Sequence, residues 1–225
     1  MLKAYRAAFT PADDVCLVIK DMGTRTFYRD QTAGEEIRAL QNDPHCADIL
    51  YLTEDIPEED VPRLYAACDC LVHPYRGEGF GLPVAEAMAC GLPVVVTSGG
   101  ACDDFCDADT AYMVSARHVT VEFAAEIELV GTPWLLEPNF DELKARLRTV
   151  FEEREAARRI GEAAAKHIAA NFTWHHAAED ACCALAKLRQ AEMLESIPQS
   201  VLPEVDVEPV AVSKTEVILL VLGDV

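Results

Sequence analysis

Residues 69–97 read DCLVHPYRGEGFGLPVAEAMACGLPVVVT, and the fold is decided here. Cys70-Leu71-Val72-His73 is a short apolar run closed by Pro74, the composition of a parallel strand buried on both faces. A loop with Gly77, Gly79 and Gly81 follows. Pro83 falls where a first helical position is expected, because its missing N–H costs nothing there. The predicted helix runs to about Cys90 and stops at Gly91, a C′ residue, and Pro93-Val94-Val95-Val96-Thr97 is the next strand. The unit is strand–loop–helix–strand, with glycines where a backbone must approach a ligand closely.

Glu78 lies in the loop and Glu86 about one turn into the helix. Val84 and Met88 are four apart, as are Ala85 and Ala89, so this stripe is predicted to face the sheet. Glu86, near the helix start, is placed where a carboxylate is favoured and can point at the loop. The arrangement suits a neutral polyhydroxyl group on Glu86 and an anion on the backbone N–H groups of residues 79–82. Lys20 follows a strand and Arg76 sits two residues before Glu78, so both are candidate cations for that anion.

The run Glu78-Gly79-Phe80-Gly81-Leu82-Pro83, then Glu86-Ala87-Met88-Ala89 and Gly91-Leu92-Pro93-Val94-Val95, resembles the E-x7-E signature of retaining glycosyltransferases of family 4, or group 1. Weaker similarity extends from about residue 15 to residue 190. The resemblance implies an α/β, doubly wound, Rossmann-like parallel sheet with C-terminal helices, one half of a two-domain GT-B fold. It implies that Glu86 contacts the ribose hydroxyls of a nucleotide-diphosphate sugar and that Glu78, the candidate catalytic residue, reaches the transferred sugar. The loop N–H groups would hold the diphosphate. The implied donor-binding set is Glu78, Gly79, Phe80, Gly81, Leu82 and Glu86, with Arg76 and Lys20. The family's turn corresponding to Ser98-Gly99-Gly100 supplies further donors near the sugar. No metal and no cofactor is implied, the nucleotide sugar being the substrate.

The same resemblance expects an acceptor-binding domain before this one, and a first strand with basic residues before the helix that Met1 opens. Residues 1–196 therefore read as a donor domain without its first strand. The alternative to an active transferase is a truncated or non-catalytic nucleotide-sugar-binding module that needs a separate acceptor domain or chain. A dinucleotide oxidoreductase is disfavoured: no G-x-G-x-x-G opens a helix after the first strand, and Gly77-x-Gly79-x-Gly81 has the wrong spacing.

An apolar fraction of 51% in 225 residues is ample for one buried core. Net charge is −20, from 39 acidic and 19 basic residues, which argues against a nucleic-acid or anionic-membrane binder. The nine cysteines include no C-x-x-C, so a zinc ribbon or redox motif is disfavoured and reduced thiols in a cytoplasmic protein are expected. No signal peptide and no membrane-spanning run is predicted.

Along the rest of the chain, residues 2–9 read as a helix with Leu2, Tyr5 and Phe9 on one face. Val15–Ile19 and Ile49–Leu52 read as strands, with a turn at Gly23 and a helix from Gly34 to about Leu40. Pro57–Asp60 opens a helix carrying Val61, Leu64 and Tyr65 inward. Ala111–Val114 is a short strand, and Phe140–Phe151, Arg154–Ala170 and Trp174 to about Leu194 are helices. Alternating strands and helices place a ligand at the strands' carboxyl ends. Asp103 and Asp104 read as an acidic helix start. His73 reads as a packed residue at the crevice mouth. His175 and His176 are adjacent and splay apart, so a joint metal site with Asp180 is not expected. Residues 197–225 read as an acidic, proline-containing tail. It carries an apolar β-type run, Glu216–Val221, either unpaired, docked by chance, or the first strand of a further domain.

Overall fold

The computed structural model describes residues 1–21, 33–121, 131–190 and 217–222; the turn predicted at Gly23 lies outside them. Five strands carry the predicted core: β1 (Val15–Lys20), β2 (Asp48–Leu52), β3 (Cys70–His73), β4 (Val94–Thr97) and β5 (Tyr112–Val114). A hairpin of β6 (Ala116–Thr120) and β7 (Trp134–Pro138) stands apart as a second, antiparallel sheet. The run near the end of the sequence forms β8 (Val217–Leu222) and lies inside the main sheet, whose order is β2-β1-β8-β3-β4-β5. β1 is parallel to β2, and β3, β4 and β5 are mutually parallel, whereas β8 runs antiparallel to both its neighbours.

Seven helices are described: α1 (Leu2–Ala8), α2 (Gly34–Gln41), α3 (Val61–Ala66), α4 (Leu82–Ala89), α5 (Phe140–Glu152), α6 (Arg154–Asn171) and α7 (Trp174–Gln190). Strand side chains alternate between faces, and both faces are covered. Val18, Leu71, Val94 and Val96 pack with Tyr65 of α3, Val84 and Met88 of α4, and Ala164 and Ile168 of α6. Leu17, Ile19, Val72, Val95 and Val114 pack with Tyr5 of α1, Ile37 of α2, and Leu143, Leu147 and Val150 of α5. Burial on both sides is why these strands read as unbroken apolar runs rather than as alternating ones. The result is an α/β, Rossmann-like half.

The central unit differs from its prediction in two details. α4 starts one residue early, with Gly81 as its N-cap, so Pro83 sits at the second position of the first turn, where its missing N–H is equally harmless. Its buried positions are Val84, Ala85, Ala87 and Met88, and Ala89 is exposed. Spacings of three and four from Val84 select Ala87 and Met88, leaving Leu82, Glu86 and Ala89 on the solvent stripe.

α6 lies against the turn that joins α4 to β4. A Cβ on Gly161 would meet the Pro93 nitrogen at 2.8 Å and clash harder still with the Gly91 carbonyl oxygen. Both obstacles are backbone. Gly161→Ala is therefore expected to lower unfolding stability by about 1–3 kcal/mol through overpacking, despite the gain of about 1 kcal/mol that alanine brings to a helix interior. Urea denaturation reads this directly, and equal or higher stability would show that the close approach is not a constraint.

Candidate functional site

The loop between β3 and α4 starts from a rigid strand end. His73 is buried, and the Tyr75 N–H donates to the His73 carbonyl at 2.9 Å, turning the chain back. Tyr75 is then fixed from below. Its carbonyl accepts from the Thr97 hydroxyl at 2.8 Å, and its own hydroxyl accepts from the Cys102 N–H at 3.4 Å. Gly100 lies so close that a Cβ there would sit 2.6 Å from the Tyr75 oxygen. At the other end of the loop Gly81 has φ +95°, and a Cβ would meet the Cys102 Sγ at 2.5 Å. The chain enters α4 over the thiol, at a position that only glycine fits without displacement.

Both glutamates are held by buried partners. Glu78 Oε2 lies 3.2 Å from His73 Nε2, and its Oε1 accepts from the Gly79 N–H at 3.0 Å. The hydrogen bond from His73 is the largest influence holding the Glu78 carboxyl below its ordinary range; burial opposes it, and the Gly79 and Phe80 backbone donors reinforce it. An ionised carboxylate only accepts, so Nε2 is the protonated ring nitrogen in this contact. Glu86 Oε2 accepts from the Tyr65 hydroxyl at 3.1 Å. Tyr65 is 1% exposed, and both burial and the neighbouring carboxylate push its hydroxyl up in pKa, so it stays a donor.

The predicted anion cradle is thus partly self-filled: the Gly79 and Phe80 N–H groups face the carboxylate of Glu78. Phe80 and Leu82 present exposed side chains, with the Phe80 ring 5.1 Å from that of Phe105. The two candidate cations lie apart from the loop tip. Arg76 pairs with Glu137 of β7 at 2.9 Å, while its carbonyl accepts from the Leu136 N–H, which docks the hairpin onto the loop. Lys20 is only 2% exposed, its ammonium donating to the Asp21 carbonyl at 2.6 Å. Meeting an anion requires Arg76 to leave Glu137 and Lys20 to turn out of the core. A cavity of about 420 Å³ lies beside the strand ends, lined by Met1, Ile19, Ile37, Pro74, Arg76 and Glu137 among others; neither Glu78 nor Glu86 lines it.

The second glycine turn is closed by its own acid: the Gly99 N–H donates to Asp103 at 2.8 Å, and Asp103 and Asp104 fall in a 3-10 turn over Ala101–Asp104. His175 pairs with Glu179 at 3.2 Å and His176 with the Thr173 hydroxyl at 2.7 Å, so the two rings face separate partners. Sequence reasoning missed the roles of His73 and Tyr65 as supports for the two glutamates. A signal for Tyr65 existed, since a tyrosine turned inward from a helix needs a partner for its hydroxyl.

The family model for glycosyl transferases group 1 matches residues 14–130, just over half of the chain. The chain belongs to this family. Among curated relatives, it is 56% identical over 43 residues to the O-antigen chain mannosyltransferase B of Escherichia coli, covering 19% of this chain and 11% of that protein. It is 33% identical over 107 residues to a GDP-mannose-dependent alpha-(1-6)-phosphatidylinositol monomannoside mannosyltransferase of Mycolicibacterium smegmatis, covering 44% and 28%. The chain thus spans less than a third of the length of these relatives. Among solved structures, sucrose-phosphate synthase from Thermosynechococcus elongatus superposes with TM-score 0.57 at 20% identity, over 77% of this chain and 38% of that one. Anabaena HepE in complex with UDP-glucose gives TM-score 0.52 at 20% identity, over 87% and 44%. These likenesses show the fold, one half of a GT-B glycosyltransferase. Among the described residues no helix is long and apolar enough to cross a membrane.

The His73 contact makes a measurable statement about charge. In His73→Ala the Glu78 carboxyl is expected to titrate at higher pH than in the parent, because the largest stabiliser of its ionised form is gone. The Gly79 N–H remains and limits the rise. A carbon-detected NMR titration of Glu78 reads it, and an unmoved titration would mean the backbone donors alone hold the carboxylate.

Proposed function

We propose that this chain binds a nucleotide-diphosphate sugar and acts as the donor half of a retaining glycosyltransferase, moving the sugar to an acceptor hydroxyl with its anomeric configuration kept. The observation that carries this reading is the pair of glutamates on either side of the glycine loop, each already oriented by a buried neighbour: Glu78 by His73, and Glu86 by Tyr65. Glu86 would take the ribose hydroxyls, for which an exposed carboxylate is a suitable acceptor. Glu78 would reach the transferred sugar. The N–H groups of Gly79, Phe80, Gly81 and Leu82 would receive the diphosphate as Glu78 exchanges its backbone donors for sugar hydroxyls.

As the glycosidic bond breaks, charge builds on the leaving diphosphate. Prepositioned N–H groups at the start of α4 and a cation released from its own partner stabilise such charge without reorganisation of solvent. Arg76 would fill that role by leaving Glu137, with Lys20 beneath it. The acceptor must be oriented against the donor. We assign that task to a further domain or a separate chain, since the relatives are several times longer than the stretch matched here.

The names of the relatives make GDP-mannose the first donor to test, and UDP-glucose the second. Calorimetry with these and an ADP-sugar should give saturable binding to one of them. Glu86→Ala is expected to weaken it by about 10- to 100-fold, the equivalent of about 1.5–3 kcal/mol for hydrogen bonds to a charged group. Unchanged affinity in the variant would remove Glu86 from the site. The second reading is a nucleotide-sugar-binding module with no transfer activity of its own. Donor binding without transfer to any acceptor, until an acceptor-binding domain is added, would favour it.

A further inference from the structure

The β6–β7 hairpin is wedged between the two glycine turns of the site. Successive residues of β7 point to opposite faces, and each face meets a different turn. Leu135 Cδ2 lies 3.4 Å from the point that a Cβ on Gly77 would occupy, so the face of Leu135 and Glu137 is turned to the loop between β3 and α4. Leu136, on the other face, lies 3.1 Å from such a point on Gly100 and 3.7 Å from that on Gly99. A backbone bond fixes the same placement, the Leu136 N–H donating to the Arg76 carbonyl at 2.8 Å. The hairpin is thus anchored by groups that stay in place when the Arg76 side chain moves.

Glu137 has two guanidinium groups within reach. Arg76 holds its carboxylate at 2.9 Å. Arg117 of β6 lies directly opposite Glu137 in the ladder, and opposed residues share a face with their Cβ atoms about 4.5–5.5 Å apart. A guanidinium on its long stem spans that distance and meets a carboxylate with a fork of donors. Arg117 is exposed and makes no ion pair among the described residues. One arginine is therefore engaged with Glu137 and a second stands across the ladder from it. The second matters because Arg76 has two tasks. When Arg76 turns to a diphosphate, Glu137 becomes an unpaired carboxylate beside that anion, and the two repel. In a chain of net charge −20 the wider field only adds to this repulsion.

We propose that Arg117 is a positioning residue for diphosphate binding: it takes over Glu137 when Arg76 turns to the ligand, and so keeps that carboxylate paired and away from the anion. The inference rests on the donor-half reading above. Arg76 touches the ligand in this scheme, and Arg117 acts only through Glu137. The exchange trades one half-exposed ion pair for another of the same kind, each worth little alone. What Arg117 contributes is the difference between an anion that meets a paired carboxylate and one that meets a bare carboxylate. The hairpin then presents the same net charge to the loop before and after Arg76 leaves.

Two measurements on the full chain test the exchange, one with ligand and one without. Calorimetry with GDP and with UDP at low salt, where exposed charges are least screened, compares the parent with Arg117→Gln, Glu137→Gln and the double variant. Arg117→Gln is expected to weaken binding about threefold, the scale of a cross-strand charge pair. Glu137→Gln is expected to tighten it by about the same factor, because Arg76 is no longer held. In the Glu137→Gln background, Arg117→Gln should then change affinity by less than about 1.5-fold. A loss that persists there would overturn the proposal, since Arg117 would be acting on the anion directly. No loss in the parent background would overturn it as well. The second measurement needs no nucleotide. In Arg76→Gln the Arg117 Nε–H, followed by NMR of the arginine-labelled chain, should exchange with solvent about threefold more slowly than in the parent. Adding Glu137→Gln should restore the parent rate. An unslowed rate would overturn the change of partners whether or not a nucleotide binds. Slowed exchange in a chain that binds neither nucleotide would instead overturn the donor-half reading, and with it the ligand, but not the change of partners.

Discussion

The approach of the Gly81 backbone to the Cys102 thiol is the constraint around which the site is built. A buried strand ends at His73, and a helix must start again nearby with its first N–H groups free. To do so, the chain passes over the turn at Ala101–Asp104, close enough that a Cβ at residue 81 would lie 2.5 Å from Cys102 Sγ. Positive φ at Gly81 then aims the start of α4. Tyr75 and Thr97 brace the loop from the β4 side. The same packing that fixes the backbone leaves Glu78 and Glu86 at the surface, each tied to a buried ring. Rigidity beneath and a half-buried Glu78 beside an exposed Glu86 above are two results of one close contact.

Electrostatics in this loop run against the global field. A chain of net charge −20 repels a diphosphate at long range, so affinity for one has to come from short-range donors in a partly excluded site. The loop keeps such donors, but occupied by Glu78. A carboxylate that accepts from the loop's own N–H groups holds their geometry. Under the proposed donor binding it would also impose a cost, since those bonds would have to be exchanged. The Arg76–Glu137 pair behaves alike: its cation is stored against a neighbour rather than left in solvent, both groups being about half exposed, where an ion pair is worth little. Exchange of partners is then cheap for Arg76, whereas Glu78 is held by a contact with buried His73.

The central unit was legible because its signals are local and agree with one another: an apolar run, punctuating glycines and prolines, and a helical period between. The helices from residue 140 onward were equally plain, since Asn139 caps α5 through the Glu142 N–H and its apolar positions keep a helical spacing. What escaped depends on where the folded backbone sends a loop or a long side chain. The β6–β7 hairpin has a long connection and no tight-turn signature. Lys20 reads as a cation beside a crevice, but its long stem and ammonium are drawn into the core by the Asp21 carbonyl. His73 reads as a packed histidine, which it is by burial, and its bond to Glu78 depends on how the loop returns.

The position of β8 was the least legible, for a general reason. A strand's composition states how many of its faces are buried, but says nothing about which backbone it pairs with. Direction and neighbours are set by connections: parallel neighbours in a doubly wound sheet are joined by short right-handed crossovers that leave little choice. A strand at the end of a long connection escapes that rule. It goes wherever unpaired N–H and C=O groups line a gap of the right length with apolar cover on both faces, and antiparallel pairing is open to it because no crossover helix dictates direction. β8 lies between two strands of this kind, with Leu17 and Val72 in the apolar cluster on one face of the sheet and Val18 and Leu71 in the cluster on the other. The pairing of β8 is therefore set by the backbones on either side of it rather than by a crossover.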